Sequence, residues 1–313
     1  MEWLEAILDG WARATRDFLD IDGQPLPRIV LLGSACVWHL PAEIGEPAGP
    51  SGVHVAVRFE GQNVLVEGVP HDGSVTLPNG ARIPAEIVAA AMPGHDGGTP
   101  FFVLALPELW EQHPQASRDP HLSVRISSVA LHEMIHTRQL PWLQRIFDEL
   151  GETFELPDRF DDDVIEKHFA DSVEFTKMFD AERTLMYGAV AERDPARKRA
   201  LLRQALSTVK ARHSRFFVGE NEVYGELEGL FLNMEGLAEW VRFKHHQADP
   251  EWPSADAEIV GFLRGQDNNW SQDEGLALIL LLDDLVPGWQ RRILDPEMPS
   301  PIDILADAIG ASE

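Results

Sequence analysis

The sequence predicts an α+β fold, with a mostly antiparallel twisted sheet first and a mainly helical region after it. Short alternating segments rich in Val, Gly and Pro fill residues 28–106, a pattern typical of strands joined by tight turns. From about residue 121 onward, apolar residues recur at helical spacing. We therefore expect a β-rich region at 1–120 and a helical region at 121–313, which together hold enough apolar residues for a large core. The alternative is one continuous domain.

The strands are predicted from their turns and their length. Gly61-Gln-Asn63 separates two alternating segments and predicts a hairpin. Asn79-Gly80 predicts a second tight turn. Phe101 to Leu106 is a short apolar run ended by Pro107, which favours a strand over a helix. The paired segments are 54–60 with 64–67, and 74–77 with 81–83.

The helices are predicted from apolar spacing and from the residues that interrupt it. Leu122, Ile126 and Val129 lie on one helical face. A run rich in Ala, Leu, Arg and Lys follows at 196–217, and the apolar run at 275–282 predicts a buried helix. Glycine and proline divide the remainder into segments of ordinary helix length.

Composition excludes several classes of protein. The chain has 26 Lys and Arg against 52 Asp and Glu, a net charge of −26, which repels nucleic-acid phosphates and anionic membranes. The single cysteine, Cys36, cannot form an internal disulfide, and its apolar surroundings predict a buried residue. The longest apolar run, 276–282, is too short to span a bilayer. The first residues do not resemble a signal peptide. We expect a cytoplasmic protein with no nucleic-acid partner and no membrane span.

One motif carries chemistry: His132-Glu133-Met-Ile-His136, within a helical window. Residues four apart lie on one face of a helix, so both imidazoles can bind one zinc ion. Glu133 then lies beside the metal, where it can take a proton from zinc-bound water. The alternative explanation is two histidines with an incidental glutamate.

A catalytic zinc needs a third protein ligand. The metzincin pattern requires glycine at position 139 and histidine at position 142, but the chain has Gln139 and Trp142. The gluzincin pattern takes a glutamate from a later helix, followed by small residues and a further carboxylate. Asn233-Met-Glu235-Gly-Leu-Ala-Glu239-Trp240 fits that pattern. With these motifs the sequence resembles the thermolysin-like gluzincins.

The resemblance implies that His132, His136 and Glu235 hold Zn²⁺ and that Glu133 is the general base. Glu239 lies on the same helical face as Glu235 and can accept a hydrogen bond from a ligating histidine. The small residues beside Glu235, Gly236 and Ala238, allow this helix to approach the motif helix closely. Two alternatives remain for the third ligand: Glu228, or a residue elsewhere if these glutamates are only solvated.

The spacing departs from the family, because 99 residues separate His136 from Glu235. A helical insertion at about 160–217 must account for it, as a lid or as a helical buttress. Tyr187 and His168, both in the insertion, stay open as stabilisers of an oxyanion. The resemblance also implies an edge strand beside the cleft, for which we favour 101–106 over 81–87; the alternative is that 101–106 is interior.

These features predict a zinc-dependent metallohydrolase, a peptidase that acts on a peptide or protein substrate. One alternative is an inactive protein that keeps the zincin fold for binding or regulation. A second alternative is a zinc hydrolase of a different amide or of an ester.

Overall fold

The computed structural model of the chain describes residues 2–21, 26–40, 53–114, 116–119, 121–156, 161–249, 255–265 and 269–310. It confirms the predicted α+β class, with a mixed sheet first and a mainly helical region after it. The strands are β1 Arg28–Leu32, β2 Cys36–Leu40, β3 Val53–Phe59, β4 Gln62–Pro70, β5 Ser74–Thr76, β6 Arg82–Pro84, β7 Ala89–Met92 and β8 Phe101–Ala105.

The main sheet has the order β3-β4-β2-β1-β8-β7. Its neighbours pair antiparallel except β1 and β8, which are parallel. The predicted hairpin is present as β3 and β4, joined by Glu60 and Gly61 at positive φ. The Asn79-Gly80 turn joins β5 and β6, and the Asn79 side chain accepts a hydrogen bond from the Ala81 N–H at 3.1 Å. The Asn79-Gly80 turn is confirmed; the first hairpin is confirmed too, but its turn is Glu60-Gly61, and Gln62 and Asn63 of the predicted turn belong to β4.

The segment Phe101–Ala105 is a strand, but its predicted place at the sheet edge is wrong. It lies between β1 and β7, and all five of its residues are buried. The next choice, 81–87, is also wrong, because its strand β6 belongs to the separate two-stranded sheet. Within the described sheet the edges are β3 and β7. A continuous apolar run marks a strand covered on both faces, which explains the interior position.

The helical region supplies most of the regular structure. A π-helical turn, Ala14–Phe18, follows the first helix, and α3 continues through Pro141. The helices are α1 Glu2–Arg13, α2 Pro107–Glu111, α3 Leu122–Thr153, α4 Val164–Phe169, α5 Val173–Ala191, α6 Pro195–Phe216, α7 Glu222–Ala248, α8 Asp256–Arg264, α9 Trp270–Leu285, α10 Trp289–Ile293 and α11 Pro301–Gly310. Of the helices described, none is both long and apolar enough to cross a membrane.

The chain forms two compact units. The first comprises residues 1–141 and 244–249, and the second comprises 142–243 and 250–313. The first unit contains the sheet, whose core on one face consists of aliphatic and aromatic side chains. Helix α1 belongs to this unit, and its Glu5 accepts a hydrogen bond from the Arg58 N–H of β3 at 2.8 Å. Cys36 is half-buried, so the prediction of a buried cysteine is wrong; it begins strand β2 at the sheet end.

The second unit is helical, and α9 lies at its centre. The predicted buried helix at 275–282 is confirmed, since residues 275–279 and 281–282 are fully or almost fully buried. The insertion at about 160–217 forms helices α4, α5 and α6. After α9, Gly288 at φ 71° is the N-cap residue of α10. The glycine adopts this left-handed conformation without the strain that a side chain would add.

Candidate metal centre

The motif histidines lie one turn apart on α3 and face each other. Their Nε2 atoms are 2.9 Å apart, and their ring centroids are 4.5 Å apart with the rings nearly perpendicular. His132 is 6% exposed and His136 is 7% exposed. Two neighbouring residues, Met134 and Ile135, are buried in the core. Because the helix is fixed by this packing, the two imidazoles are presented as one preformed pair.

Glu133 lies between the two histidines in sequence and is half-buried. Its Oε2 accepts a hydrogen bond from the Ala91 N–H at 2.7 Å. Ala91 is in β7, an edge strand of the main sheet. Alternate residues of such a strand direct their N–H groups away from the sheet, and this one points at the Glu133 carboxylate. The candidate base is therefore tied to the backbone of an edge strand.

The other nitrogen of His136 is also engaged. Its Nδ1 lies 2.9 Å from Oε1 of Gln139, one turn further along α3. Gln139 is 1% exposed, so water does not compete for this contact. The described partner of His136 Nδ1 is thus a neutral amide oxygen.

Glu235 lies on α7 and is 3% exposed. The alternative that it is an ordinary solvated glutamate is therefore wrong. The Nε2 of Gln272, on α9, donates to Glu235 Oε2 at 3.2 Å.

His132 and His136 of the first unit form a pair that could hold a metal ion together. Glu235 of the second unit stays the predicted third ligand. Two nitrogens bound tetrahedrally to one zinc lie about 3.3 Å apart, so the 2.9 Å separation of the Nε2 atoms needs only a few tenths of an ångström of adjustment. The donors are two imidazoles and one carboxylate, the set that catalytic zinc sites use with one position left open. The residues therefore fit the ion.

Gly236, beside Glu235, packs closely against another helix. A Cβ added at Gly236 would lie 2.6 Å from the backbone oxygen of Gly275, and its three nearest atoms all belong to Gly275. Gly236 thus contacts α9, and the approach of its helix to the motif helix stays a prediction. The contact places Glu235 next to the helix that carries Gln272.

The two other glutamates considered on α7 have defined partners. Glu239 is fully buried and accepts a hydrogen bond from Arg242 Nη1 at 2.7 Å; its hydrogen bond to a ligating histidine stays a prediction. Glu228 accepts from Arg212 Nη1 at 2.7 Å and lies 2.6 Å from His213 Nε2. Burial raises the pKa of Glu228, but Arg212 and His213 outweigh it and hold that pKa below its usual value. These partners argue against Glu228 as the third ligand.

A second group of carboxylates, Asp161, Asp162 and Asp163, could also hold a cation by distance alone. Lys167 already pairs with Asp161 at 2.8 Å and with Asp163 at 2.7 Å. The ammonium supplies the positive charge that this exposed cluster needs.

The open candidates for oxyanion stabilisation are occupied elsewhere. The Tyr187 hydroxyl donates to Asp273, with distances of 2.7 Å to its carbonyl and 2.9 Å to Oδ1. His168 Nδ1 contacts the Tyr224 hydroxyl at 2.9 Å, and its Nε2 contacts Asn221 Oδ1 at 3.1 Å. Both side chains have a structural role within the helical unit.

Sequence reasoning missed three groups at the centre: the Gln139 amide, the Gln272 amide and the Ala91 N–H. A signal existed for Gln139, because it lies three residues after His136 on the same helical face. Nothing in the sequence links Gln272 to Glu235, or Ala91 to Glu133, since these contacts depend on how distant segments pack.

No family model matches the sequence, and no curated protein and no solved structure matches it.

Proposed function

We propose that this chain is a zinc-dependent metallohydrolase that cleaves peptide bonds. The observation that carries the proposal is the buried pair of imidazoles on α3, with the Nε2 atoms of His132 and His136 2.9 Å apart. Glu133, a carboxylate that no ligand role requires, lies on the same turn of α3. A purely structural site would have four protein ligands and no use for a base.

This donor set favours a transition metal, and a tetrahedral site with one open position is typical of catalytic zinc. Imidazole suits Zn²⁺ as well as copper, iron and nickel, whereas magnesium and calcium prefer oxygen ligands only. When bound, Zn²⁺ lowers the pKa of a coordinated water to about 7 and polarises a carbonyl. His132, His136 and Glu235 would hold it.

In the mechanism, Glu133 moves the proton. Its carboxylate accepts a proton from the attacking water and delivers it to the leaving amine, since one carboxylate can act first as base and then as acid. The Ala91 N–H holds Oε2 of this side chain at 2.7 Å and so leaves Oε1 to face the reactants. Burial of both histidines excludes water around the ligands, which strengthens electrostatic interactions there.

Support for a peptide substrate comes from strand β7. It is an edge strand, and its backbone reaches the Glu133 carboxylate. An extended peptide can pair with such an edge through main-chain hydrogen bonds, which would bring a scissile bond near the base. Another amide or an ester is the alternative substrate class, and an inactive binding protein is the alternative to an enzyme.

The experiment combines metal analysis with a peptide-library cleavage assay, with and without a chelator. We expect about one zinc per chain and cleavage that the chelator abolishes. Glu133→Gln should retain zinc while hydrolysis falls at least about a hundredfold, the range for loss of a general base. Glu152→Gln, a matched change at an exposed position of the same helix, should change neither. If the zinc-loaded protein cleaves other amides or esters but no peptide, the peptidase proposal is wrong and the alternative substrate class is correct.

A further inference from the structure

We propose that Gln139 is a positioning residue that selects the metal-binding tautomer of His136. This inference rests on the proposed metal centre and goes beyond it, because it concerns a neutral side chain three residues after the ligand. The basis is the 2.9 Å contact between His136 Nδ1 and Gln139 Oε1, inside a helix where Gln139 is 1% exposed.

The tautomer of an imidazole ring decides which of its nitrogens can bind a metal. A neutral ring carries one N–H, and only the nitrogen without the hydrogen can bind a metal. When Gln139 presents its oxygen, His136 Nδ1 must be the donor, so the lone pair is at Nε2. That is the nitrogen that faces His132 at 2.9 Å. Gln139 thereby directs the lone pair of His136 into the ligand cluster.

The side-chain amide of Gln139 acts as a hydrogen-bond acceptor, through Oε1. Its Nε2 is buried and has no hydrogen-bond partner among the described residues. The reverse orientation would place an N–H group against His136 Nδ1 and would force the ring hydrogen onto Nε2, which blocks metal binding. A carboxylate at position 139 would keep the acceptor, whereas an aliphatic side chain of similar size would lose it.

The test uses the full chain with Gln139→Leu, Gln139→Glu and, as a control, Gln144→Leu at an exposed position of the same helix. Zinc affinity is measured by competition with a chromogenic chelator. Loss of a hydrogen bond that orients a metal ligand costs about 10–100-fold in affinity, so Gln139→Leu should bind zinc that much more weakly. Gln139→Glu should bind zinc at least as tightly as the wild type, because its carboxylate also accepts the hydrogen bond. Gln144→Leu should have the wild-type zinc affinity.

A second readout does not need the metal. ¹⁵N-detected NMR of the histidine rings in the zinc-free protein should show His136 as the Nδ1–H tautomer in the wild type and in Gln139→Glu. In Gln139→Leu the ring should become a mixture of both tautomers. A role in packing alone would not change this ratio.

The outcomes separate this inference from the proposed function. Unchanged zinc affinity and tautomer in Gln139→Leu would overturn the inference alone, as would a loss of zinc that Gln139→Glu does not restore. Zinc binding with the expected variant effects but no hydrolysis would overturn the hydrolase alone. A wild-type chain that binds no zinc would overturn both.

Discussion

The contact between Gly236 on α7 and Gly275 on α9 provides a test of how the Glu235 helix is held. In Gly236→Ala the added Cβ would lie 2.6 Å from the Gly275 oxygen and 2.7 Å from its carbonyl carbon. Ordinary contact begins at 3.4 Å, so the two helices must separate by about 0.8 Å. The obstacle is backbone, so no side-chain rotation can relieve it.

The magnitude follows from two opposing effects. Overpacking of a well-packed contact costs about 1–3 kcal/mol. Alanine gains about 1 kcal/mol over glycine in a helix interior. We expect a net loss of about 0–2 kcal/mol in the free energy of unfolding. The same separation would lengthen the 3.2 Å hydrogen bond from Gln272 to Glu235 to about 4 Å, beyond hydrogen-bond range, so zinc affinity should fall by about tenfold.

The assay is urea unfolding of the zinc-free protein together with zinc affinity by chelator competition. Gly188→Ala on α5 is the matched control, because a Cβ there would have its nearest neighbour, Leu201 Cδ1, at 3.8 Å. That variant should be stabilised by up to about 1 kcal/mol. If Gly236→Ala is stabilised to the same extent and binds zinc normally, the close contact does not hold α7 as argued.

Three further predictions concern ligands, strand order and pH. Glu235→Ala should lose most of the bound zinc, whereas Glu228→Gln should retain zinc and lower stability, since it weakens a buried ion pair with Arg212; full zinc content in Glu235→Ala would identify a different third ligand. Val103→Pro should destabilise the fold by at least about 1–3 kcal/mol, because an interior strand loses a ladder hydrogen bond, and circular dichroism on heating would check it. Burial raises the pKa of Glu182 to about 8, although the Arg212 guanidinium opposes the shift. The stability that this proton contributes is complete below the unfolded pKa and is lost as pH rises through the folded pKa. Glu182→Gln should flatten that dependence in urea unfolding across this range, and an unchanged slope would assign it to another group.

Features that depend on neighbouring residues could be predicted from the sequence. The Asn79-Gly80 turn, the α9 apolar run and the one-turn spacing of His132 and His136 are all set by local geometry. For the same reason the contact between Gln139 and His136, three residues apart on one helix, could have been predicted from the sequence.

Features that depend on the packing of distant segments could not be predicted. Strand order placed Phe101–Ala105 inside the sheet and left β7 at its edge. The apolar run had indicated burial on both faces, but no local signal identifies which strand pairs beside it. Likewise, the small side chain at Gly236 predicted a close helix contact without indicating that Gly275 is the partner.

The insertion between the two predicted ligand-bearing segments contains a buried ion-pair network. The sequence had left two roles open for this insertion, a lid or a helical buttress. Arg212, on α6, is fully buried and donates to Glu182 on α5 at 2.8 Å and to Glu228 on α7 at 2.7 Å. Phe175 also contacts its guanidinium, with 4.9 Å from Cζ to the ring centroid.

Breaking such a buried pair costs about 3–5 kcal/mol, because it leaves one charge without compensation. A lid must separate from its neighbours on each turnover. If α6 moved away from α7, the ion pair between Arg212 and Glu228 would break in every catalytic cycle. Glu228 lies two turns before Glu235 on the same helix, so the pair fixes α7 along the face that presents the proposed ligand. The insertion therefore fits a buttress for the Glu235 helix better than a lid.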